Sequence, residues 1–569
     1  YLLDNDLTAI DVGYLNSQIS SVIRFPIGMD YFSILSLKII ETLSSTGKTS
    51  VFLVEDKYSR DEITKRLKNI FGDNQIKTYK DLHCLRKEII ALVVTTEDLI
   101  ELLKYPIFTQ LNIGLFVIEE CAILGNTLSV IDVSIEPMFA LLSFLDKFPT
   151  TTMLLFTSKV QNIQEVSKWI ENITNNSCLP ISLGNKPARQ AKGIVVYDEE
   201  EVEENDAQDV QPQGLFSLEQ NWMNQVSEKA YSLVKLSDAL VSLSSSRRSS
   251  GRLTPNKYAV STLIAESLAI PDCKVVVFTD NVSNSVSHLT NQTQKNVCLN
   301  EEENRLYSQC LNEFGSAEGL YLQVDERGSV ISSGVCDFNL LLPIERRLYR
   351  SLFQRQDGVD LLITNIWSSS FKDLSYNVAV IAGHQQFDLV SGRQISYNKQ
   401  ELLEQIHHIG INSHSSSAGL AIIVPSNVIK IQRNNIPSEI MDIYSSDEYE
   451  SELYDPLTNI LDNLTLHQSI NEVELPLIRL IHSETKDSDY HSLINSIVKK
   501  SYVSYKRNNA IREQLQVEQL SARQKEYENF SLDSIFADYL GVNPSLLTDI
   551  INELTKFPWY LGEDLIEYH

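Results

Sequence analysis

The chain has 569 residues, with 75 Asp and Glu against 48 Lys and Arg and a formal net charge of −27 at pH 7. So acidic a surface argues against broad, charge-driven binding of nucleic acid, leaving only a local basic groove as a route to it. A content of 43% hydrophobic and 22% charged residues is that of a globular chain, its length suits three or four domains, and no apolar run approaches the ~20 residues that span a bilayer.

There is no leader of basic, apolar and small-residue regions. The chain opens on Tyr1-Leu2 rather than Met, which suits a fragment or a product cut from a larger precursor. Seven cysteines are scattered without a Cys-x-x-Cys pair. They read as free thiols of a reducing, intracellular compartment, cytoplasmic or nuclear.

In chain order, residues 20–27 read as a strand, Gly28-Met29-Asp30 as a turn and Tyr31 to Leu43 as a helix with apolar positions at helical spacing. Val51–Val54 is a second strand, followed by a helix from Ser59, its expected cap, to Ile70. Ile90–Val94 is a third strand, and Thr95-Thr96-Glu97-Asp98 opens a helix to about Leu103. Residues 114–119 form a strand, 129–147 a long helix and Met153–Phe156 another strand. Strands and helices alternating at this length predict an α/β fold, a parallel sheet with helices on both faces.

Residues 178–197 are expected to lead out of this first domain (1–197). An acidic and Ser-rich insert or linker (198–255) follows. It holds the acidic run Asp198 to Asp206, a helical stretch at about 216–243 and the basic link Ser244 to Arg252. A second α/β domain (256–425) carries a helix at Tyr258–Leu268 and strands at Lys274–Phe278, Leu361–Thr364, Val378–Ile381 and Ala421–Val424. A further helix lies at Ile344–Phe353, a hairpin at 387–395 turns at Ser391-Gly392, and 402–408 is helical. Residues 426–569 are mostly helical, with a second acidic loop at Ser445 to Tyr454.

The chemistry gathers at Leu115-Phe116-Val117-Ile118-Glu119-Glu120, an apolar strand delivering two carboxylates at its C-terminal end. A nucleotide-driven motor needs such acids for magnesium and water, a Gly-rich turn and a Lys for the phosphates, and an arginine for the transition state. The turn that should cradle phosphate offers Gly28 alone, no lysine, and an acid at Asp30 that would repel it. Thr46-Gly47-Lys48-Thr49 spells the end of a phosphate loop but precedes a strand, and Thr42 stands where the upstream glycine is required. His407, His408 and His414 lack the partners and spacing of a metal site.

In the order and spacing of its segments, the chain resembles the superfamily 2 helicases, specifically the DEAH/RHA-like DExH branch, over residues 20–440 outside the insert. Val117-Ile118-Glu119-Glu120-Cys121-Ala122 stands where that family has its D-E-x-H strand, with Glu119 for the Asp, Glu120 kept and Ala122 for the His. Phe156-Thr157-Ser158-Lys159 falls at the Ser-Ala-Thr motif, and Leu362-Ile363-Thr364-Asn365-Ile366 with Ser368 is similar to A-T-N-I-A-E-T-S. His407 to His414 stands at the arginine-rich helix and keeps only Gly410, while Asn435 to Ile440 resembles the start of the winged-helix region. The resemblance implies two tandem RecA-like domains followed by a mostly helical C-terminal region, winged-helix-like at its start. It implies ATP, magnesium and RNA unwinding only where the catalytic groups carry over. The phosphate-loop Lys, the first magnesium acid, its partner His and both arginines do not, and Glu55-Asp56-Lys57 replaces a basic segment.

Nucleic acid retains one candidate interface, the basic and aromatic stretch Lys499, Lys500, Tyr502, Tyr505, Lys506 and Arg507, with Arg512 beyond it. The same residues also suit a packed tyrosine face with solvated charges. The resulting expectation is a degenerate helicase-like protein without ATPase activity or a bound cofactor, with no membrane association. It would serve as a scaffold or RNA-associated subunit among protein partners, in a setting that includes a virion or viral replication complex. The alternatives are a divergent ATP-dependent RNA helicase using Glu119, Glu120, ATP and Mg, and a structural protein with neither nucleotide nor RNA.

Overall fold

The structure is a computed structural model that describes residues 4–26, 29–84, 89–127, 134–184, 189–197, 212–217, 256–269, 273–289, 297–315, 320, 322, 324, 341–365, 374, 376–383, 385–388, 393–397, 402–403, 406, 409–410, 418–426, 451–464, 470, 473–484 and 490–529. The chain divides into two units, one of residues 1–26, 30–185 and 449–569, the other of 27–29 and 186–448.

The first unit is built on seven parallel strands. They are β1 (Ser20–Arg24), β2 (Thr49–Val54), β3 (Ile76–Thr78), β4 (Ala91–Thr95), β5 (Ile113–Ile118), β6 (Thr152–Thr157) and β7 (Cys178–Ser182), in spatial order β3-β4-β2-β5-β6-β1-β7. β2, β4, β5 and β6 are buried at every position, as apolar runs are when helices cover both faces of a parallel sheet. The helices are α1 (Asp4–Asp11), α2 (Phe32–Thr46), α3 (Lys57–Phe71), α4 (Thr96–Leu103), α5 (Pro106–Thr109), α6 (Glu136–Lys147) and α7 (Ile163–Thr174).

Local chemistry sets their ends. The side chain of Asp56, not Ser59, caps α3 by accepting the Ser59 N–H at 2.7 Å. Thr95 and Asp98 form a capping box at α4. α6 starts at Glu136 rather than near 129, because Pro137 fits only the first turn of a helix. The part of that expected helix at 129–133 lies outside the described residues.

The second unit carries β8 (Arg189–Tyr197), β9 (Pro212–Ser217), β10 (Val275–Thr279), β11 (Leu361–Asn365), β12 (Val378–Ala382), β13 (Gln385–Asp388), β14 (Arg393–Ser396) and β15 (Ala418–Val424). Six of these form a sheet in the order β11-β10-β12-β15-β8-β9, parallel except for the antiparallel β8–β9 pair. β13 and β14 make the expected hairpin, whose turn lies outside the described residues. The helices are α8 (Lys257–Leu268), α9 (Val282–Ser287), α10 (Glu301–Phe314) and α11 (Pro343–Gln354). Strand alternation divides the core between the sheet's faces: Val276, Phe278 and Ile381 belong to one cluster, Val275, Val277 and Val380 to the other.

Two expectations change here. The first domain was to end after Tyr197, but β8 pairs with β15 from Arg189 onward, so the crossing falls after β7. The helix expected from 216 begins on residues that are strand instead. Gly214, Leu215 and Phe216 pair with β8, which supplies hydrogen bonds that a helix would otherwise make internally. The acidic run Asp198 to Asp206 and the remainder of the insert, 218–255, lie outside the described residues.

After residue 449 the chain rejoins the first unit. Its helices are α12 (Leu457–Asn463), α13 (Leu475–Glu484), α14 (Tyr490–Lys500), α15 (Tyr502–Arg507) and α16 (Ala510–Asn529). They are not a separate body: Leu457, Ile494 and Val517 share one core with Phe139 of α6 and Trp169 of α7. The expected acidic loop is partly a buried strap. Ser451 bridges Val160 and Leu453 bridges Asn126, with Ser451 fully buried. No helix among the described residues is long and apolar enough to cross a membrane.

Candidate functional site

The loops after β1, β5 and β6 meet at the carboxyl edge of the first sheet, where a parallel α/β sheet ordinarily opens a ligand crevice. β5 delivers Glu119 and Glu120 there, as its sequence predicts. Glu119 N–H bonds the Leu53 carbonyl at 3.1 Å, and Glu120 caps a short 3-10 turn at Cys121–Leu124.

Glu120 is saturated. Its Oε1 accepts the Ala122 N–H at 3.1 Å and the Thr157 hydroxyl at 2.6 Å. Its Oε2 accepts both the N–H and the hydroxyl of Ser158 at 2.8 Å. With about four acceptor positions on a carboxylate, nothing remains to hold a metal or to draw a proton from water. The group acts as a clasp between the ends of β5 and β6.

Glu119 takes the Tyr31 hydroxyl at 3.0 Å. Tyr31 opens α2 and its ring fills the crevice between Phe25 and Phe156, with centroids 5.1 and 4.7 Å away. Burial first, and then the charge of Glu119, raise the pKa of its phenol well above the ordinary value, so it is a fixed donor.

The start of α2, where phosphates would approach backbone N–H groups, is met by the chain's own carboxylate. Asp30 accepts the Phe32 N–H at 3.0 Å and takes Arg66 through both oxygens at 2.8 Å, the guanidinium lying 4.1 Å from the Phe32 ring centroid. Gly28 lies outside the described residues, as do His407, His408 and His414. Thr46-Gly47-Lys48-Thr49 is the turn that ends α2: Gly47 has φ +65° and bonds the Leu43 carbonyl at 2.9 Å, and β2 follows at once. That end of the sheet is opposite Glu119 and Glu120.

In the basic stretch at the end of α14 and in α15 the tyrosines turn inward, while Lys499, Lys506 and Arg512 stay exposed. Tyr502 is buried edge-on to Trp169 at 5.3 Å, donates to Glu165 at 2.8 Å and accepts from Asn162 at 2.9 Å. Tyr505 stacks on Tyr502 at 6.3 Å and packs on the core. Lys500 donates to the Leu145 carbonyl at 3.1 Å, and burial lowers its pKa. Lys506 pairs with Glu165 at 3.3 Å, and Arg507 and Arg512 both hold Asp462. Lys499 is exposed.

Sequence reasoning singled out the two acids but not the groups that occupy them. Thr157 and Ser158 were noted only as standing at the Ser-Ala-Thr motif, Tyr31 and Phe25 are ordinary residues until β1, β5 and β6 are set side by side, and Arg66 lies 36 positions from Asp30. No protein-family model and no curated protein sequence matches this chain.

Proposed function

We propose that this protein is a non-hydrolysing scaffold of helicase type: two RecA-like units and a helical C-terminal region resembling the DEAH/RHA-like branch, serving a larger protein assembly without nucleotide chemistry. The Glu120 carboxylate carries this proposal, because all four of its acceptor positions are committed to Ala122, Thr157 and Ser158. Asp30 on Arg66 and Tyr31 on Glu119 support it, since both fill with the chain's own side chains the space that phosphates and magnesium need. The strand order supports the RecA-like assignment by bringing the loops after β1, β5 and β6 to one edge. The net charge of −27, the bond from Lys500 to the Leu145 carbonyl and the surface ion pairs that occupy Lys506 and Arg507 favour protein over RNA as partner. Among the described residues Cys121, Cys178, Cys273, Cys298 and Cys310 are free thiols, which suits a reducing compartment.

The test is ATP binding and hydrolysis by the purified chain, with and without RNA, beside Glu120→Gln. The expected outcome is no saturable binding and no turnover in either protein. Turnover abolished by Glu120→Gln would restore the motor. RNA binding that weakens with salt and with Lys499→Ala would make the protein an RNA-associated subunit instead.

A further inference from the structure

Two ties cross the carboxyl edge of the first sheet, and they join the same pair of loops. One is Glu120, after β5, which holds Thr157 and Ser158 at the end of β6. The other is the strap of residues 451–455. The chain re-enters the first unit at residue 449, two residues before it.

The strap is held chiefly through its main chain. The Gln161 N–H donates to the Ser451 carbonyl at 2.8 Å, and the Thr127 N–H to the Glu452 carbonyl at 3.0 Å. The Tyr454 N–H donates to the Gly125 carbonyl at 3.2 Å, and the Leu453 N–H to Asn162 Oδ1 at 3.0 Å. Leu453 is buried in one core with Leu124 and Val160, a residue from each loop. Asp455 accepts the Val503 N–H at 2.9 Å and so fixes the far end of the strap to the start of α15.

The two ties are connected on both sides. On the β6 side, the Thr157 hydroxyl that donates to Glu120 Oε1 at 2.6 Å accepts the Val160 N–H at 2.9 Å, and Val160 bridges Ser451. On the β5 side, Glu120 Oε1 accepts the Ala122 N–H at 3.1 Å, the Ala122 carbonyl accepts the Gly125 N–H at 3.1 Å, and the Gly125 carbonyl takes Tyr454. Glu120, the β6 loop, the strap and the β5 turn thus close a ring of hydrogen bonds. In such a ring each tie orders the loops that the other must hold, so losing one raises the entropy cost of keeping the other. Glu119 takes the Tyr31 hydroxyl instead.

We propose that the strap is a latch on the first crevice: it and the Glu120 clasp stabilise one another, so that lifting residues 451–455 loosens Glu120 and opens the carboxyl edge of the sheet. Because the chain enters the unit directly before the strap, a pull on the incoming chain acts on the latch first. The latch concerns closure of the crevice and does not depend on whether nucleotide enters it.

Hydrogen exchange at single-amide resolution on the whole chain tests the coupling in both directions. Ala122 and Ser158 report the clasp, and Gln161 and Tyr454 report the strap. In the wild type all four are expected to exchange through one opening that is faster than that of β4. Thr127→Val removes the hydroxyl that accepts the Glu452 N–H, and Leu453→Ala removes the buried anchor. Exchange at Ala122 and Ser158 should rise roughly threefold in the first variant and about tenfold or more in the second. Glu120→Gln should in turn speed Gln161 and Tyr454, since coupling is reciprocal. Glu119→Gln should leave all four at their wild-type rates. Clasp amides that keep their wild-type rates in both strap variants overturn the proposal. So does exchange of the four amides no faster than β4, which would mean that the unit opens only as a whole, or a rise in Glu119→Gln equal to that in Glu120→Gln. Thr127 is exposed, so its variant keeps the test in force even if Leu453→Ala does not fold.

Discussion

Adjacent acids with similar burial have unlike roles here, and substitution separates them. Glu120→Ala removes the acceptor for two backbone N–H groups and two hydroxyls at once and is expected to cost about 3 kcal/mol of unfolding free energy. Glu119→Gln keeps an acceptor for the Tyr31 hydroxyl and should cost less than about 1 kcal/mol. Urea unfolding reads both; equal small losses would mean that Glu120 is not a clasp. Asp455 offers a pH test. It accepts the N–H groups of Leu457 and Val503 at 2.9 Å, and burial pushes its pKa from 3.8 to about 6 against the pull of those N–H groups and of Arg507. A folded-state value above the unfolded one means that the folded protein keeps the proton longer. The stabilisation is therefore full below pH 3.8 and is lost as pH rises towards about 6. Relative to Asp455→Asn, the wild type should lose on the order of 2–3 kcal/mol between pH 4 and pH 7. A constant difference across that range would place the Asp455 carboxyl at its ordinary value.

The elements that close the first unit are short and depend on single anchors. α15 has six residues, too few to persist without tertiary contacts. Tyr502 supplies them, through the Trp169 ring, Asn162 and Glu165. Tyr502→Ala is expected to cost about 3–5 kcal/mol, as large-to-small core changes do. It should also raise amide exchange in α14, α15 and α16 while leaving β4 protected. Uniform exchange across the unit would instead indicate one inseparable structure. β7 shows how an edge is built: Pro180, exposed and lacking an N–H, sits in the last strand of the sheet, where no ladder bond is lost beyond it.

At the scale of the molecule, the first unit is discontinuous. Its two long segments share a core in which Phe139, Leu142 and Trp169 of the first pack with Leu457, Ile494 and Leu520 of the last. A fragment ending at residue 184 would expose that apolar surface to water, at about 25 cal/mol for each Å² uncovered. The fragment alone is expected to melt without a cooperative transition, and adding residues 449–569 as a second chain should restore one. Cooperative melting of the fragment by itself would show that the C-terminal helices are accessory.

The sequence alone determined the alternation of strands and helices, hence a parallel α/β fold, because β-branched and aliphatic runs such as Val51–Val54 and Ile363 with its neighbours can be buried only between helical layers. It also located Glu119 and Glu120 at a strand end, the hairpin at β13 and β14, and Gly47 as a turn. It did not yield β3, which offers one buried apolar residue at Ile76, nor β8 as a strand of the second sheet, since a strand's pattern does not name its partner. α7 went unread although Ile163, Val166, Ile170 and Ile173 repeat at helical spacing. Only the tertiary structure decided what the acids do. Hydrogen-bond saturation of Glu120 depends on residues 37 and 38 positions away, and the strap that covers the same edge returns some 290 residues after Asn162. Such distances are closed by the order of strands in a sheet, which local propensity does not encode.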